Sequence, residues 1–133
     1  PHHRSSAASD VYKRQLVLYS CTSSYPCKFE DVSLLEINRI KEKYEDHIKD
    51  IGFSGHHLGI AVDIASYALG ANWIERHFTL DRTFKGTDHI ASLEPTGLRK
   101  LCRDLHATKQ SLKYKDSDIL HCEISQRKKL KFI

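Results

Sequence analysis

The sequence predicts an α/β fold built on a parallel sheet. Two observations carry this reading. A strand-like run followed by a helical pattern occurs three times along the chain, and the first run, Leu16-Val-Leu-Tyr-Ser-Cys, is apolar at consecutive positions, as for a strand covered on both faces. Strands separated by helices imply βαβ units with right-handed crossovers. At 133 residues the chain has room for one domain. It is too short for a closed (β/α)₈ barrel, which needs about 250 residues.

Each element has its own signal. Thr22 to Asp31 reads as a loop with Pro26 and a Ser-Ser pair, and Leu34, Leu35, Ile37 and Ile40 then recur at helical spacing up to about Tyr44. A second strand is expected at 49–54, followed by a loop of glycine and histidine. Leu58 to Leu69 reads as an alanine-rich helix closed by Gly70 at a C′ position. The third strand is expected over 73–80. A long loop from Asp81 to Ser92 leads to Pro95, which suits the first turn of a helix whose buried face is marked by Leu98, Leu101, Cys102 and Leu105. Residues 116–133 are charged and aperiodic, like a linker. Residues 1–15 lack periodicity and look like a translated adapter, so they are set aside as a non-native leader. By its architecture the chain reads as a fragment.

Composition excludes several classes. With 40% apolar, 29% charged and 9% aromatic residues the chain is ordinary globular material. Its net charge of +4 falls short of a nucleic-acid binder's basic stripe. Setting the leader aside removes Arg4, Lys13 and Arg14 against Asp10, which brings the body closer to neutral. The basic stretch from Gln126 to Lys131 reads as solvated. No apolar run approaches the ~20 residues of a membrane span. The four cysteines, Cys21, Cys27, Cys102 and Cys122, show no C-x-x-C spacing, and residues 1–15 are polar without the apolar core of a secretory signal, so none is expected. Four free thiols in a soluble, cytoplasmic protein is the expectation.

In parallel α/β structures functional groups collect at the C-terminal ends of strands. His56 and His77 sit at or just past the ends of adjacent strands, so both could reach one point above the sheet. Two imidazoles with open positions suit a divalent first-row metal; ordinary hydrogen-bonding histidines would share that spacing. His57 and His89 lie close enough to complicate the choice, whereas His47, His106 and His121 read as solvated. Asp88 could hold a sugar hydroxyl or move a proton, or simply cap its loop. Ser23 and Ser54, beside mobile or glycine-containing backbone, suit phosphate binding. Neither lies in a Gly-x-Ser-x-Gly elbow, which argues against a serine hydrolase.

Six segments then occur in order: Cys21-Thr-Ser-Ser-Tyr-Pro, Glu30-Asp-Val-Ser-Leu, Gly52-Phe-Ser-Gly-His-His-Leu-Gly-Ile, Ala68-Leu-Gly-Ala, Glu75-Arg-His-Phe-Thr-Leu-Asp-Arg and Lys85-Gly-Thr-Asp-His-Ile-Ala-Ser-Leu-Glu-Pro. Together they resemble the sialic acid synthase family (N-acetylneuraminate synthases and their relatives) from about Leu16 to Phe132. The resemblance implies that residues 16–115 are the last three βα units, strands six to eight, of a (β/α)₈ TIM barrel. Residues 116–133 would then lead to an antifreeze-like domain outside this chain, within a homodimer. It implies a divalent metal, manganese or else magnesium or cobalt, on His56 and His77. Ser54 and Ser23 would lie against the phosphate of phosphoenolpyruvate, Ser23 standing where some relatives carry asparagine. Tyr25 and Asp88 would contact N-acetylmannosamine. Gly55 stands where many bacterial members carry aspartate.

The implied activity is a metal-dependent condensation of phosphoenolpyruvate with N-acetylmannosamine, or its 6-phosphate, to N-acetylneuraminate. Catalytic roles fall to His56, His77 and Asp88, and the isolated fragment is expected to be inactive and poorly folded. Relatives making legionaminic, pseudaminic or deaminated nonulosonic acids share these motifs. A non-catalytic α/β binding module that uses its basic tail is the alternative from a different class.

Overall fold

The computed structural model describes residues 15–130. The leader expected at 1–15 therefore lies outside the described residues except for Gln15, as do residues 131–133 of the expected linker. Three parallel strands form one sheet in the order β1 (Val17–Cys21), β2 (Asp50–Gly55), β3 (Trp73–Arg76). Helices α1 (Glu36–Tyr44) and α2 (Ala61–Ala68) make the two crossovers, and α3 (Pro95–Ser111) follows the third strand. The parallel α/β arrangement expected from the alternation is the one observed.

Register fixes which side chains share a face. Cys21 pairs with Ser54, Ser54 with Glu75, and Gly55 with Arg76. Since side chains alternate across a strand, Cys21, Ser54 and Glu75 point to one face, and Phe53, Gly55 and Arg76 to the other. The second face carries the core. Cys27, Val32, Ile37, Ile51, Phe53 and Ala71 are buried together there, with Leu34, Ile40, Val62, Leu69 and Ile74 packed around them. The contributions from α1 and α2 place both helices on this side.

Departures from the expected boundaries have local causes. β2 is displaced by one residue, and α1 starts two residues after Leu34, within the usual scatter of helix ends. α2 starts at Ala61 rather than Leu58, because Gly59 adopts a left-handed φ of +81° that no helix accommodates. At its other end Gly70, with φ +104°, terminates the helix as expected. β3 ends at Arg76, short of the expected Leu80. Past that point β2 has turned into its loop, so the extended chain finds a new partner in Leu93, which bridges Phe78 in parallel fashion. His77 O accepts from Leu93 N–H at 2.8 Å, and Thr79 N–H donates to Leu93 O at 3.0 Å.

Two further expectations are corrected. The buried face of α3 is narrower than its sequence implies: Leu101 is buried, whereas Leu98 and Cys102 are exposed. α3 packs on α2 with Leu101 buried and Leu105 half-buried. The segment read as an aperiodic linker carries a one-turn 3₁₀ helix (His121–Glu123) and then α4 (Ile124–Leu130). α4 buries nothing, so it has no apolar period to detect. It is built from good helix formers, and a Lys115–Glu123 ion pair of 2.7 Å holds the turn before it. No described helix is long and apolar enough to cross a membrane.

Candidate active site

The site face at the C-terminal ends of the strands gathers three of the expected residues. His56 and His77 lie with ring centroids 5.2 Å apart. Tyr25, from the loop after β1, packs its ring against His56 at 4.4 Å and meets His77 edge-on at 5.6 Å. His56 is buried and fixed twice. Its Nδ1 lies 2.9 Å from the carbonyl oxygen of Thr22, and its own carbonyl accepts from Cys27 N–H at 2.9 Å. A carbonyl only accepts, so Nδ1 carries a proton, and in the neutral ring the lone pair is then on Nε2. That is the tautomer of a metal-ligating histidine whose second nitrogen is anchored to backbone. The pair therefore fits a divalent cation. Among the described residues no third His, Cys, Asp or Glu joins it, so two protein ligands would leave positions open for water and substrate.

The other expected residues are placed less centrally. Ser54 Oγ donates to Glu75 Oε1 at 2.7 Å, so a carboxylate stands beside the hydroxyl assigned to phosphate. Ser23 is exposed, with its Oγ 3.8 Å from Cys21 Sγ. Asp88 is exposed on the long loop and has local partners. Its Oδ1 accepts from Thr87 Oγ1 at 3.0 Å, and its carbonyl accepts from Ser92 Oγ at 2.7 Å. It precedes the short His89–Ala91 turn without a side-chain cap. Below the site, burial pushes the Cys27 thiol above its ordinary pKa, helped by the nearby charge of Asp31 and by Cys21. All four cysteines are free.

The histidines that complicated the choice are accounted for. His89 Nδ1 lies 2.8 Å from Thr79 Oγ1, and its ring stands edge-on to Phe84. His57 is fully buried on the opposite face of the sheet from His56, against Asp63 and Arg76. That network escaped the sequence reading. Arg76 Nη1 donates to Asp63 Oδ2, to Gly59 O (2.8 Å) and to His57 Nε2 (3.2 Å). Its Nη2 donates to His57 O (2.7 Å) and Ala91 O (3.1 Å). The available signal was strand alternation: Glu75 and His77 share one face, so the intervening arginine must enter the core and find a counter-ion. Gly55 sits beneath it. A Cβ there would stand 2.9 Å from His57 Cε1, 2.9 Å from Phe53 Cε1 and 3.0 Å from Arg76 Cδ.

Comparison with known proteins meets this geometry with a family. The NeuB family profile matches residues 4–117. The chain belongs to the NeuB family. Among curated relatives, human N-acetylneuraminate-9-phosphate synthase is 44% identical over 110 residues, which cover 83% of this chain and 30% of that protein. N,N′-diacetyllegionaminic acid synthase of Campylobacter jejuni is 41% identical over 101 residues, covering 75% of this chain and 29% of that protein. The crystal structure of N-acetylneuraminic acid (sialic acid) synthetase from Leptospira borgpetersenii, in complex with citrate, superposes with a TM-score of 0.68 at 35% identity. That superposition covers 86% of this chain and 40% of the other. This NeuB-family chain thus spans less than a third of the length of the two curated relatives.

Proposed function

We propose that the intact protein condenses phosphoenolpyruvate with N-acetylmannosamine or its 6-phosphate, giving the nine-carbon 2-keto acid N-acetylneuraminate or its 9-phosphate and releasing phosphate. The observation that carries this reading is the His56–His77 pair, with Nε2 of His56 left free by the Thr22 carbonyl. His56 and His77 would hold a divalent cation, manganese or else magnesium or cobalt, and the chemistry such an ion would supply there is Lewis-acid activation of the open-chain sugar's aldehyde. C3 of phosphoenolpyruvate bonds to the aldehyde carbon, water adds at C2, and the C2–O bond to phosphate breaks. Tyr25 packs against both imidazoles and restricts the approach to them, which suits it to orient the sugar beside the metal. Asp88 sits on the loop after β3 and serves as the hydroxyl or proton partner once substrate brings it near. Ser54 and Ser23 face the phosphate, with the Ser54 proton turning from Glu75 to the substrate oxygen.

The same reading makes the three βα units the last three of a (β/α)₈ barrel, with residues 116–133 leading to a second domain and a homodimer as the working form in the cytoplasm. The open outer edges of β1 and β3 among the described residues support this, as does the superposition on part of a longer sialic acid synthetase. The name of the human relative carries a 9-phosphate product, which supports the phosphorylated acceptor; the Campylobacter relative supports a neighbouring nonulosonic acid.

The test is phosphate release from phosphoenolpyruvate by the intact protein with each acceptor, before and after chelation. Turnover that requires the sugar and returns on adding Mn²⁺ is expected, and His56→Ala and His77→Ala each abolish it. Undiminished turnover in both variants contradicts the assignment.

A further inference from the structure

We propose that Arg76 is a positioning residue: with Asp63 and His57 it forms a buried clamp on the helix-facing side of the sheet that sets the separation of His56 and His77. This inference rests on the two-histidine metal reading above and concerns residues that touch neither metal nor substrate. Its basis is chain connectivity. Arg76 is bonded directly to His77, and His57 directly to His56. Alternation sends His56 and His77 to the site face and their neighbours to the other. Locking residues 57 and 76 together therefore locks the two Cα positions from which the imidazoles project.

The lock is extensive. One guanidinium, with its side chain 3% exposed, holds the carbonyls of His57, Gly59 and Ala91 at 2.7–3.1 Å. Those carbonyls belong to the loop after β2 and to the short turn before α3, so a single side chain ties two segments to β3. A guanidinium spreads its donors over a rigid planar fork and so spans separated carbonyls; an ammonium carries its three donors on one nitrogen. Asp63, fully buried in the first turn of α2, supplies the counter-charge.

Stability alone is a poor reason for this arrangement. A buried ion pair gains little over well-packed apolar residues, because taking both charges out of water costs several kcal/mol per ion. Here the pair is also incompletely satisfied: His57 Nδ1, Asp63 Oδ1 and Arg76 Nε are buried without a protein partner. An apolar core at these positions would hold the helices equally well. It would not fix the backbone on either side of the two imidazoles.

The experiment is a Mn²⁺ titration of the intact apo-protein, followed by the electron paramagnetic resonance signal of free and bound Mn²⁺. Arg76→Lys keeps the charge opposite Asp63 and loses the fork. Its Mn²⁺ Kd is expected to rise about 10–100-fold, the usual effect of removing the support behind a metal ligand, with an altered bound-state line shape. His77→Ala is the control for the underlying reading. If His77→Ala binds as tightly as wild type, the two-histidine site itself fails. If His77→Ala loses binding while folded Arg76→Lys keeps the wild-type Kd and line shape, the site stands and the clamp is refuted. Should Arg76→Lys not fold, Asp63→Asn is measured by the same criterion: a weakened Kd supports the clamp and an unchanged one refutes it. If neither variant folds, the network is a determinant of the fold rather than of the spacing, and the inference is overturned.

Discussion

Gly55→Ala is the most informative single substitution outside the ligands. Gly55 has no positive φ, so its requirement is for space alone. The added methyl would stand 2.9 Å from ring carbons of Phe53 and His57 and 3.0 Å from Arg76 Cδ, against an optimum of about 3.5–4.0 Å between carbon atoms. None of the three neighbours has room to yield. Phe53 is 2% exposed and His57 0%, and Arg76 Cδ is the stem of a guanidinium pinned at its far end. Overpacking at such a site costs about 1–3 kcal/mol. Gly59→Ala is the matched opposite: nothing lies within 4 Å of its Cβ position, but its φ of +81° is left-handed, costing about 1–2 kcal/mol. The assay is urea unfolding of the intact protein by circular dichroism. Adding Phe53→Leu, which removes the clashing ring carbon, restores part of the loss in Gly55→Ala and none in Gly59→Ala. An unchanged midpoint for Gly55→Ala, or equal rescue of both, refutes the reasoning.

Other expectations follow from the same contacts. Because burial raises the Cys27 pKa, this thiol is the last of the four to be alkylated by iodoacetamide near pH 8.5, and labelling it before exposed Cys21 contradicts its placement. The sign of its linkage is that of a raised group: its contribution is fully present below the unfolded thiol pKa and is lost as pH rises through the folded value. Asp81 shows the opposite case. The Thr83 hydroxyl (2.7 Å) and amide (2.8 Å) hold its carboxyl below the ordinary value, so its contribution is present above the unfolded pKa and lost as pH falls through the folded one. Thr83→Ala moves the Asp81 titration upward in a carboxyl-resolved NMR experiment, and an unmoved titration rules the hydroxyl out as a cause.

The fold was legible wherever burial left a period in the sequence. Gly70 past the end of α2 and Pro95 at the start of α3 each state a local rule that the structure obeys. The first apolar run does form β1 but is not covered on both faces, since Ser20 is its one buried residue and Tyr19 and Cys21 are exposed. α4 was not legible, because a helix that buries no residue writes no apolar period. The pairing of His56 with His77 was within reach because both lie at strand ends; their tautomers were not, since the Thr22 carbonyl that fixes His56 comes from a loop 34 residues away. Arg76 illustrates the remaining gap. In sequence it is one more charge in a polar run; alternation with Glu75 and His77 turns it toward the core, but only the register with Gly55 and the turn of α2 that brings Asp63 beneath it show what it meets there.

The central claim is that His56 and His77 together hold a divalent cation. Anomalous diffraction at the manganese edge, from crystals of the intact protein grown with MnCl₂, tests it most directly. The account predicts one strong peak between Nε2 of His56 and the His77 ring, absent in His77→Ala crystals. No peak at that position, or a peak that survives the substitution, contradicts it.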